Sequence, residues 1–218
     1  MAASEGSVDP PAHARQVSVG PERLSKWLAG FGERHGDADT RLDRDVVALT
    51  GSDGDRAWIH VPFPPLVTEG GDVLDALVEH ANRPRRVGVL IVRRGGYAAG
   101  VFEGAELRES KVGSRYVQGG TKAGGWSQQR YARRRANQAD AVFADAADVA
   151  ARVLGAHTDL DALVAGGDRD AVQTVLADRR LVALPAPSGP WLEVKDPKLA
   201  VLRATPAQFR AVRISLVP

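Results

Sequence analysis

A chemically unusual stretch of the sequence runs from Gln118 to Gln129 and combines amide, hydroxyl and glycine residues without one acidic side chain. Its amides, which donate and accept hydrogen bonds but do not titrate, belong to Gln118, Gln128 and Gln129. Amides of this kind can orient a water molecule and stabilise a developing oxyanion. The stretch holds no useful general base for neutral pH. We therefore expect it to act only where a partner supplies the rest of the active site.

Glycines make up much of the same stretch, and they are Gly119, Gly120, Gly124 and Gly125. A loop rich in glycine can pass its backbone close to another surface because glycine lacks a Cβ atom. Trp126 and Ser127 follow these glycines. Serine is a favoured N-cap residue, which predicts a helix that starts near Gln128.

Basic residues surround this loop: Lys111, Arg115, Lys122, Arg130, Arg133, Arg134 and Arg135, with no acid between Lys111 and Ala139. Arg130, Arg133 and Arg134 share one face of the predicted helix. Arginines near a helix N-terminus oppose the macrodipole and repel one another. An approaching phosphate backbone relieves both penalties, which favours RNA as the partner. The alternative is a solvated basic face beside a flexible loop.

Other chemistries have weaker support in the sequence. The chain has no cysteine, and no two of its five histidines stand at a metal-ligand spacing on one predicted helix face. We therefore predict neither a metal site nor a cofactor. Four aspartates, Asp159, Asp161, Asp168 and Asp170, are compatible with a two-metal nuclease, although aspartates beside a short strand and a helix start usually serve as caps and turns. The glycine run GFGERHG at 30–36 lacks dinucleotide-binding spacing, and Gly32 or Gly36 is expected to end a helix.

The composition is that of a globular protein, with 218 residues, 44% hydrophobic residues and a net charge of +2. No signal peptide or apolar run of membrane-spanning length is visible, so a cytoplasmic location is expected. The predicted organisation is a disordered tail over 1–14, a strand–helix–hairpin–helix extension over 15–83 and an α/β domain over 84–218. The two folded parts could also form one compact unit.

The elements of the second domain follow from hydrophobic patterning. Three strands, at 87–92, 97–102 and 105–112, are separated by short glycine turns and form a meander. A long helix over about 127–154 follows the glycine loop, and then come a buried strand at 160–165 and a helix capped by Asp168. The tail segments WLEV, AVLRA and VRISLV are interpreted as short strands. The fold class is therefore α/β on a mixed sheet.

The run GGWSQQRYARRR resembles the segment that opens a long helix in the middle domain of eukaryotic and archaeal class-one peptide release factors. Its residues Gly124, Gly125, Ser127, Arg130, Tyr131, Arg133 and Arg135 match that pattern in order. Trp126 stands where those factors have a glutamine. This substitution, the neighbouring glutamines and the YVQGGT lead-in are closer to the Vms-like release factor (VLRF) branch, actinobacterial type. The resemblance covers roughly residues 86–180 and implies a ribonuclease H-like architecture.

The resemblance also implies a function. Members of that branch are regarded as peptidyl-tRNA hydrolases, which implies partners in the large ribosomal subunit, its rRNA and peptidyl-tRNA during ribosome rescue and quality control. In that branch the catalytic glutamine lies elsewhere in the loop, and we rank Gln128 before Gln118 and Gln129. Trp126 either stacks on a base or pins the loop to the core. The alternatives are a ribosome- or tRNA-binding module without catalytic activity and the metal-dependent nuclease.

Overall fold

The computed structural model describes residues 9–114 and 127–218, with the side chains of 127–139 outside the description. In chain order the strands are β1 (Arg15–Val19), β2 (Asp39–Asp43), β3 (Val46–Thr50), β4 (Arg56–His60), β5 (Arg86–Arg93), β6 (Gly96–Glu103), β7 (Glu106–Ser114), β8 (Ala162–Gly167) and β9 (Val212–Val217). The α-helices are α1 (Leu24–His35), α2 (Val73–Asn82), α3 (Ser127–Val153), α4 (Arg169–Leu176), α5 (Leu199–Ala204) and α6 (Pro206–Phe209). Short 3₁₀ helices span Pro21–Arg23 and Arg179–Leu181.

The chain divides into two compact units. The first comprises Met1–Arg83 together with Arg210–Pro218, and the second comprises Pro84–Phe209. The division between the two units falls after Arg83 and again after Phe209. The last nine residues, which the sequence patterns assign to the second domain, belong to the first unit because β9 pairs with β1 and β4.

The first unit is an antiparallel sheet in the order β1-β9-β4-β3-β2, with α1 and α2 contributing to its core. Leu24 and Phe31 of α1 are buried in that core. Asp72 caps α2, since its carboxylate accepts hydrogen bonds from the backbone N–H groups of Leu74 and Asp75. Gly36 ends α1 with φ 74°, a left-handed conformation that favours glycine.

The second unit contains the predicted meander, continued into a mixed sheet of order β7-β6-β5-β8 in which β5 and β8 are parallel. Alternate residues point to opposite faces of this sheet. Ala99 and Val101 join the core formed with α3 and α4. Phe102 on the other face packs edge-on against Phe209 of α6. Both faces are therefore covered, which accounts for the continuous apolar run of β5.

Two of the three tail segments differ from the predicted strands. AVLRA lies within the helix α5, where Leu202 is fully buried. In the WLEV segment, Leu192 alone forms a β-bridge, which pairs it with Gly166 of β8. VRISLV does form a strand, but in the sheet of the first unit. Short apolar runs do not distinguish a helix from a strand by periodicity, and tertiary contacts decide between them.

Candidate functional site

The loop that the sequence singles out joins the end of β7 to the start of α3. Because β5, β7 and β8 run in the same direction, all three end at one edge of the sheet. The register pairs Ser114 with Gly96, Gly96 with Arg93, and Val92 with Gly167. Three strand spacings separate Ser114 from Gly167, a distance of about 14 Å. We call this edge the carboxyl edge.

Exposed cations surround the carboxyl edge on the β5 and β7 side. Arg93 and Arg94 are exposed at the turn after β5, and the Arg93 Nη1 donates a hydrogen bond to the carbonyl oxygen of Val194 at 3.0 Å. Lys111, one of the predicted RNA-contacting residues, is exposed on β7, three residues before Ser114. The described part of the edge where the loop departs therefore carries positive charge that can attract an anion.

α3 is a single helix of 27 residues that begins at Ser127. Its described buried residues include Ala146, Val149 and Val153, which lie on one side of the helix and pack in the core with residues of β5 and β6. After α3 the chain passes to the start of β8, which lies at the opposite end of the sheet from the carboxyl edge. The C-terminus of α3 is therefore remote from the carboxyl edge, and its N-terminal part lies toward that edge. With 27 residues α3 is about 40 Å long, so it is longer than an eight-residue strand of the sheet such as β5, which is about 26 Å long.

Apart from Lys111, the predicted site residues divide into two groups. The first group lies in α3, where the structure gives the backbone only, and comprises Ser127, Gln128, Gln129, Arg130, Arg133, Arg134 and Arg135. Outside the described residues lie Arg115, Gln118, Gly119, Gly120, Lys122, Gly124, Gly125 and Trp126. The predicted long helix is present, while the cap at Ser127 and the roles of these side chains stay predictions.

The four aspartates of the nuclease alternative do not converge. Asp161 accepts a hydrogen bond from the backbone N–H of Arg86 at 2.7 Å, and Asp159 forms an ion pair with the Arg86 side chain. Asp168, at the other end of β8, caps α4 by accepting from the N–H of Ala171. Six residues of β8 separate the two pairs, or roughly 20 Å. A shared two-metal site is therefore excluded, and hydrogen bonds and an ion pair within the fold account for Asp159, Asp161 and Asp168.

A cluster that sequence reasoning missed lies in the first unit. Ligand atoms of His35, Asp53 and Asp55 lie within 4.8 Å of one another, and in the part of the chain that the structure describes no other such group of three was found. These residues are the ones that could hold a metal. The His35 Nδ1 lies 2.9 Å from Asp53 and 3.3 Å from Asp55, so hydrogen bonding and ion pairing already explain the cluster. Asp53 and Asp55 lie 18 and 20 positions after His35 in the sequence, and this spacing gave no indication of a shared site. The hairpin of β3 and β4 brings the three residues together.

Two half-buried or exposed groups in the first unit have shifted pKa values. Partial burial, followed by the charge of Arg213, lowers the pKa of His60 against the opposing effect of Asp9. The hydrogen bond from His35, followed by that from the backbone of Asp55, lowers the pKa of Asp53. Neither shift produces a general base at the carboxyl edge.

Among the described residues, no helix has the length and apolar character needed to cross a membrane.

Similarity to solved structures is distant. A crystal structure of an archaeal translation termination factor, aRF1, is similar with a TM-score of 0.39 and 17% sequence identity, over 89% of this chain and 66% of that chain. The present chain thus spans just under two thirds of that factor. A structure described only as an archaeal protein is similar with a TM-score of 0.30 and 17% identity, over 92% of this chain and 69% of that one. A comparison with curated proteins found no match.

A family model, in contrast, matches most of the chain. The model described as Actinobacteria/chloroflexi VLRF1 release factor matches residues 85–215. This range includes the meander, the segment with the glutamines and glycines, and all of α3. The resemblance seen in GGWSQQRYARRR is confirmed, and the protein belongs to the Actinobacteria/chloroflexi VLRF1 release factor family.

Proposed function

We propose that the protein is a peptidyl-tRNA hydrolase that acts on the large ribosomal subunit and releases stalled nascent peptides. The observation that supports this proposal best is the family match, which covers the glycine loop and its three glutamines. Gln118 precedes the glycines of the loop, and Gln128 and Gln129 follow them. The reaction adds water to the ester carbonyl and breaks its bond to the tRNA ribose oxygen. The products are a free peptide carboxylate and a tRNA with its terminal hydroxyl restored.

In this proposal the amide of a glutamine orients the attacking water and donates a hydrogen bond to the oxyanion that develops on the ester. Gln128 is the first candidate, followed by Gln118 and Gln129. A glutamine does not accept the proton that leaves the water, because an amide does not titrate near neutral pH. The proton passes to RNA hydroxyl groups or to water, which the ribosomal partner brings to the reaction.

The arginines of α3 supply the contacts to phosphate in this mechanism. By the roughly 100° per residue of an α-helix, positions 130, 133 and 134 point about 120–160° away from the line of the buried Ala146. These positions therefore lie on the side of α3 opposite its core contact. We propose that the arginines at these positions, the arginine stripe, contact rRNA or the tRNA acceptor stem, and that Lys111, Arg115, Lys122 and Arg135 add charge nearby in the sequence.

We also propose a ribonuclease H-like architecture for the second unit. What supports it is a meander of three antiparallel strands followed by a helix and a fourth strand parallel to the first, in the order β7-β6-β5-β8. Parallel bridges from Leu163 to Pro187 and from Gly166 to Leu192 add the beginning of a fifth position beyond β8. We propose that residues 84–209 form the catalytic domain. The first unit is then an extension of this domain, and the last strand, β9, completes the sheet of that unit.

The proposed activity is tested by release of labelled peptide from stalled complexes of the large subunit with peptidyl-tRNA. The purified protein is expected to release peptide without puromycin, and simultaneous replacement of Gln118, Gln128 and Gln129 by alanine is expected to abolish release. Arg203→Ala, an exposed substitution on α5, is the matched control. An unchanged rate in the triple variant would contradict the glutamine mechanism.

Trp126 supports a second candidate function, a ribosome- or tRNA-binding module without catalytic activity. The release factors that this segment resembles have a glutamine at that position. Sedimentation of the protein with large subunits, compared with and without peptidyl-tRNA, separates the two functions. Binding in both samples with no release of peptide from any complex would favour the binding module.

A further inference from the structure

A stacked pair of side chains lies at the end of β8, apart from the glycine loop in sequence. The guanidinium carbon of Arg169 lies 4.3 Å above the centroid of the Trp191 ring. The Trp191 Nε1–H donates a hydrogen bond to the carbonyl oxygen of Gly167 at 3.1 Å, which fixes the orientation of the indole. A planar cation on a fixed aromatic ring is a ready platform for a further flat group.

This platform lines a cavity of about 570 Å³, which is within the usual range of small-ligand sites. One side of the cavity is the face of α4 that carries Arg169, Val172, Gln173 and Leu176 at helical spacing. The opposite side is the segment 187–191, PSGPW. The lining of the cavity is therefore mixed, with apolar side chains such as Val172 and Leu176 beside the polar groups of Arg169 and Gln173.

The backbone around the cavity is fixed by hydrogen bonds. The N–H of Ser188 donates to the carbonyl of Leu163, and the N–H of Leu192 donates to that of Ala165. Gly166 permits this close approach, because an added Cβ would lie 2.5 Å from the Cβ of Leu192. The segment that carries Trp191 is thus held against β8, and the site is formed before any ligand arrives.

The local charges distinguish between possible ligands. Arg169 is flanked by Asp168, whose carboxylate already caps α4, and by the exposed Asp170. Two carboxylates beside one guanidinium disfavour a phosphate as the main ligand. A neutral flat ring gains from stacking without that repulsion, and Gln173 offers an amide that can donate to and accept from its edge.

We propose that this cavity binds a nucleobase of single-stranded RNA, stacked on Arg169 and contacted at its edge by Gln173. The inference rests on the proposed function for the choice of RNA over other molecules with flat rings. Gly167 lies at the carboxyl edge, about 14 Å across the sheet from Ser114, where the glycine loop departs. An RNA strand that contacts the loop can therefore also place an unpaired base in the cavity.

The test titrates the full chain, labelled with ¹⁵N, with a single-stranded RNA hexamer and with an abasic hexamer that has the same number of phosphates. The indole N–H signal of Trp191 reports binding at the cavity itself, separately from binding at α3. We expect a saturable shift with the hexamer and none with the abasic strand. Arg169→Ala is expected to weaken the binding seen at Trp191 by about 5-fold to 100-fold, the usual contribution of one stacked base.

Further variants separate stacking from charge. Arg169→Lys keeps the charge but not the planar group and is expected to bind as weakly as Arg169→Ala, whereas Gln173→Ala is expected to weaken binding and Arg203→Ala to leave it unchanged. Equal shifts with the abasic strand, full binding by Arg169→Lys, or a response to a proline-rich peptide but not to RNA would each overturn the proposal. Because hexamer binding requires no hydrolysis, loss of peptide release with this binding intact would count against the proposed function alone.

Discussion

The Nδ1 atom of His35, the last residue of α1, lies 2.9 Å from the Oδ2 atom of Asp53 in the turn between β3 and β4. The hydrogen bond from His35 holds the pKa of Asp53 below its ordinary value of 3.8. A carboxyl group with a lowered pKa stabilises the folded state above its ordinary pKa, and that contribution is lost as the pH falls through the lowered value. The Asp53 carboxylate therefore supports the contact between helix and hairpin at pH values above its ordinary pKa.

We accordingly predict that Asp53→Asn lowers the free energy of unfolding at pH 7, by a small amount because the carboxylate is exposed. The difference from the wild type should narrow as the pH falls below about 4, where the wild-type carboxyl group also becomes protonated. Urea unfolding between pH 3 and pH 7 measures this difference. Asp37→Asn, an exposed carboxylate on the same unit, is the control and should show no such pH dependence.

A second prediction concerns Gly167, which has φ 89° at the end of β8. An added Cβ would lie 2.3 Å from the carbonyl oxygen of Val92. We expect Gly167→Ala to destabilise the protein by about 1–3 kcal/mol, because it combines an unfavourable backbone conformation with a contact to fixed backbone. Gly95→Ala is the matched control, since no atom lies within 4 Å of its added Cβ. Equal urea midpoints for the two variants would contradict the strained conformation.

A third prediction compares the cores of the two units. Ile214 of β9 and Leu163 of β8 are both fully buried, the first in the core of the first unit and the second in that of the second. Each change to alanine should cost about 2–5 kcal/mol. Hydrogen exchange should show the lost protection in β1 and β4 for Ile214→Ala and in β5 and β8 for Leu163→Ala. Loss spread equally over both units in either variant would argue against separate cores.

The success of sequence interpretation depended on how local the deciding contacts were. The glycine turns of the meander and the cap that Asp168 forms on α4 follow from neighbouring residues, and these predictions are confirmed. Strand β2, with the sequence DTRLD, gave no apolar pattern and exists through its pairing with β3. The place of β9 in the first sheet depends on partners nearly 200 positions away, which hydrophobic periodicity cannot specify.

The candidate site shows the same division. The composition of the glycine loop and the arginines of α3 can be seen directly in the sequence. The stacking of Arg169 on Trp191 joins residues 22 positions apart and arises because the segment 187–191 packs along β8. The run PSGPW was the available signal, since it combines turn residues with one aromatic group.

A fourth prediction concerns the arginine stripe. Replacing Arg130, Arg133 and Arg134 together by alanine should weaken binding to the large subunit and reduce its dependence on salt. If each arginine contacts one phosphate, the slope of log affinity against log salt should become shallower by roughly 2 to 3, since each phosphate contact contributes about 0.7 to 0.9. Binding measured over a range of salt concentrations tests this. An unchanged slope would indicate that the stripe is merely solvated.

The last prediction concerns the choice among the glutamines. Gln128 stands 18 positions before Ala146, which is about five full turns of an α-helix, so the two positions lie on the same side of α3. Ala146 is buried in the core with the sheet. By helix periodicity the Gln128 position is therefore in line with Ala146, whereas the Gln129 position is turned by about 100° from that line.

This relation gives the two adjacent glutamines different expected effects. If the helix start presents Gln128 together with the loop that leaves Ser114, Gln128→Ala should reduce the rate of peptide release by about 100-fold to 1,000-fold, as the loss of one oxyanion donor does. Gln129→Ala should leave the rate nearly unchanged, with Gln118→Ala between the two. Single-turnover release at saturating protein measures the chemical step apart from binding. A large loss for Gln129→Ala with normal release by Gln128→Ala would reverse the assignment.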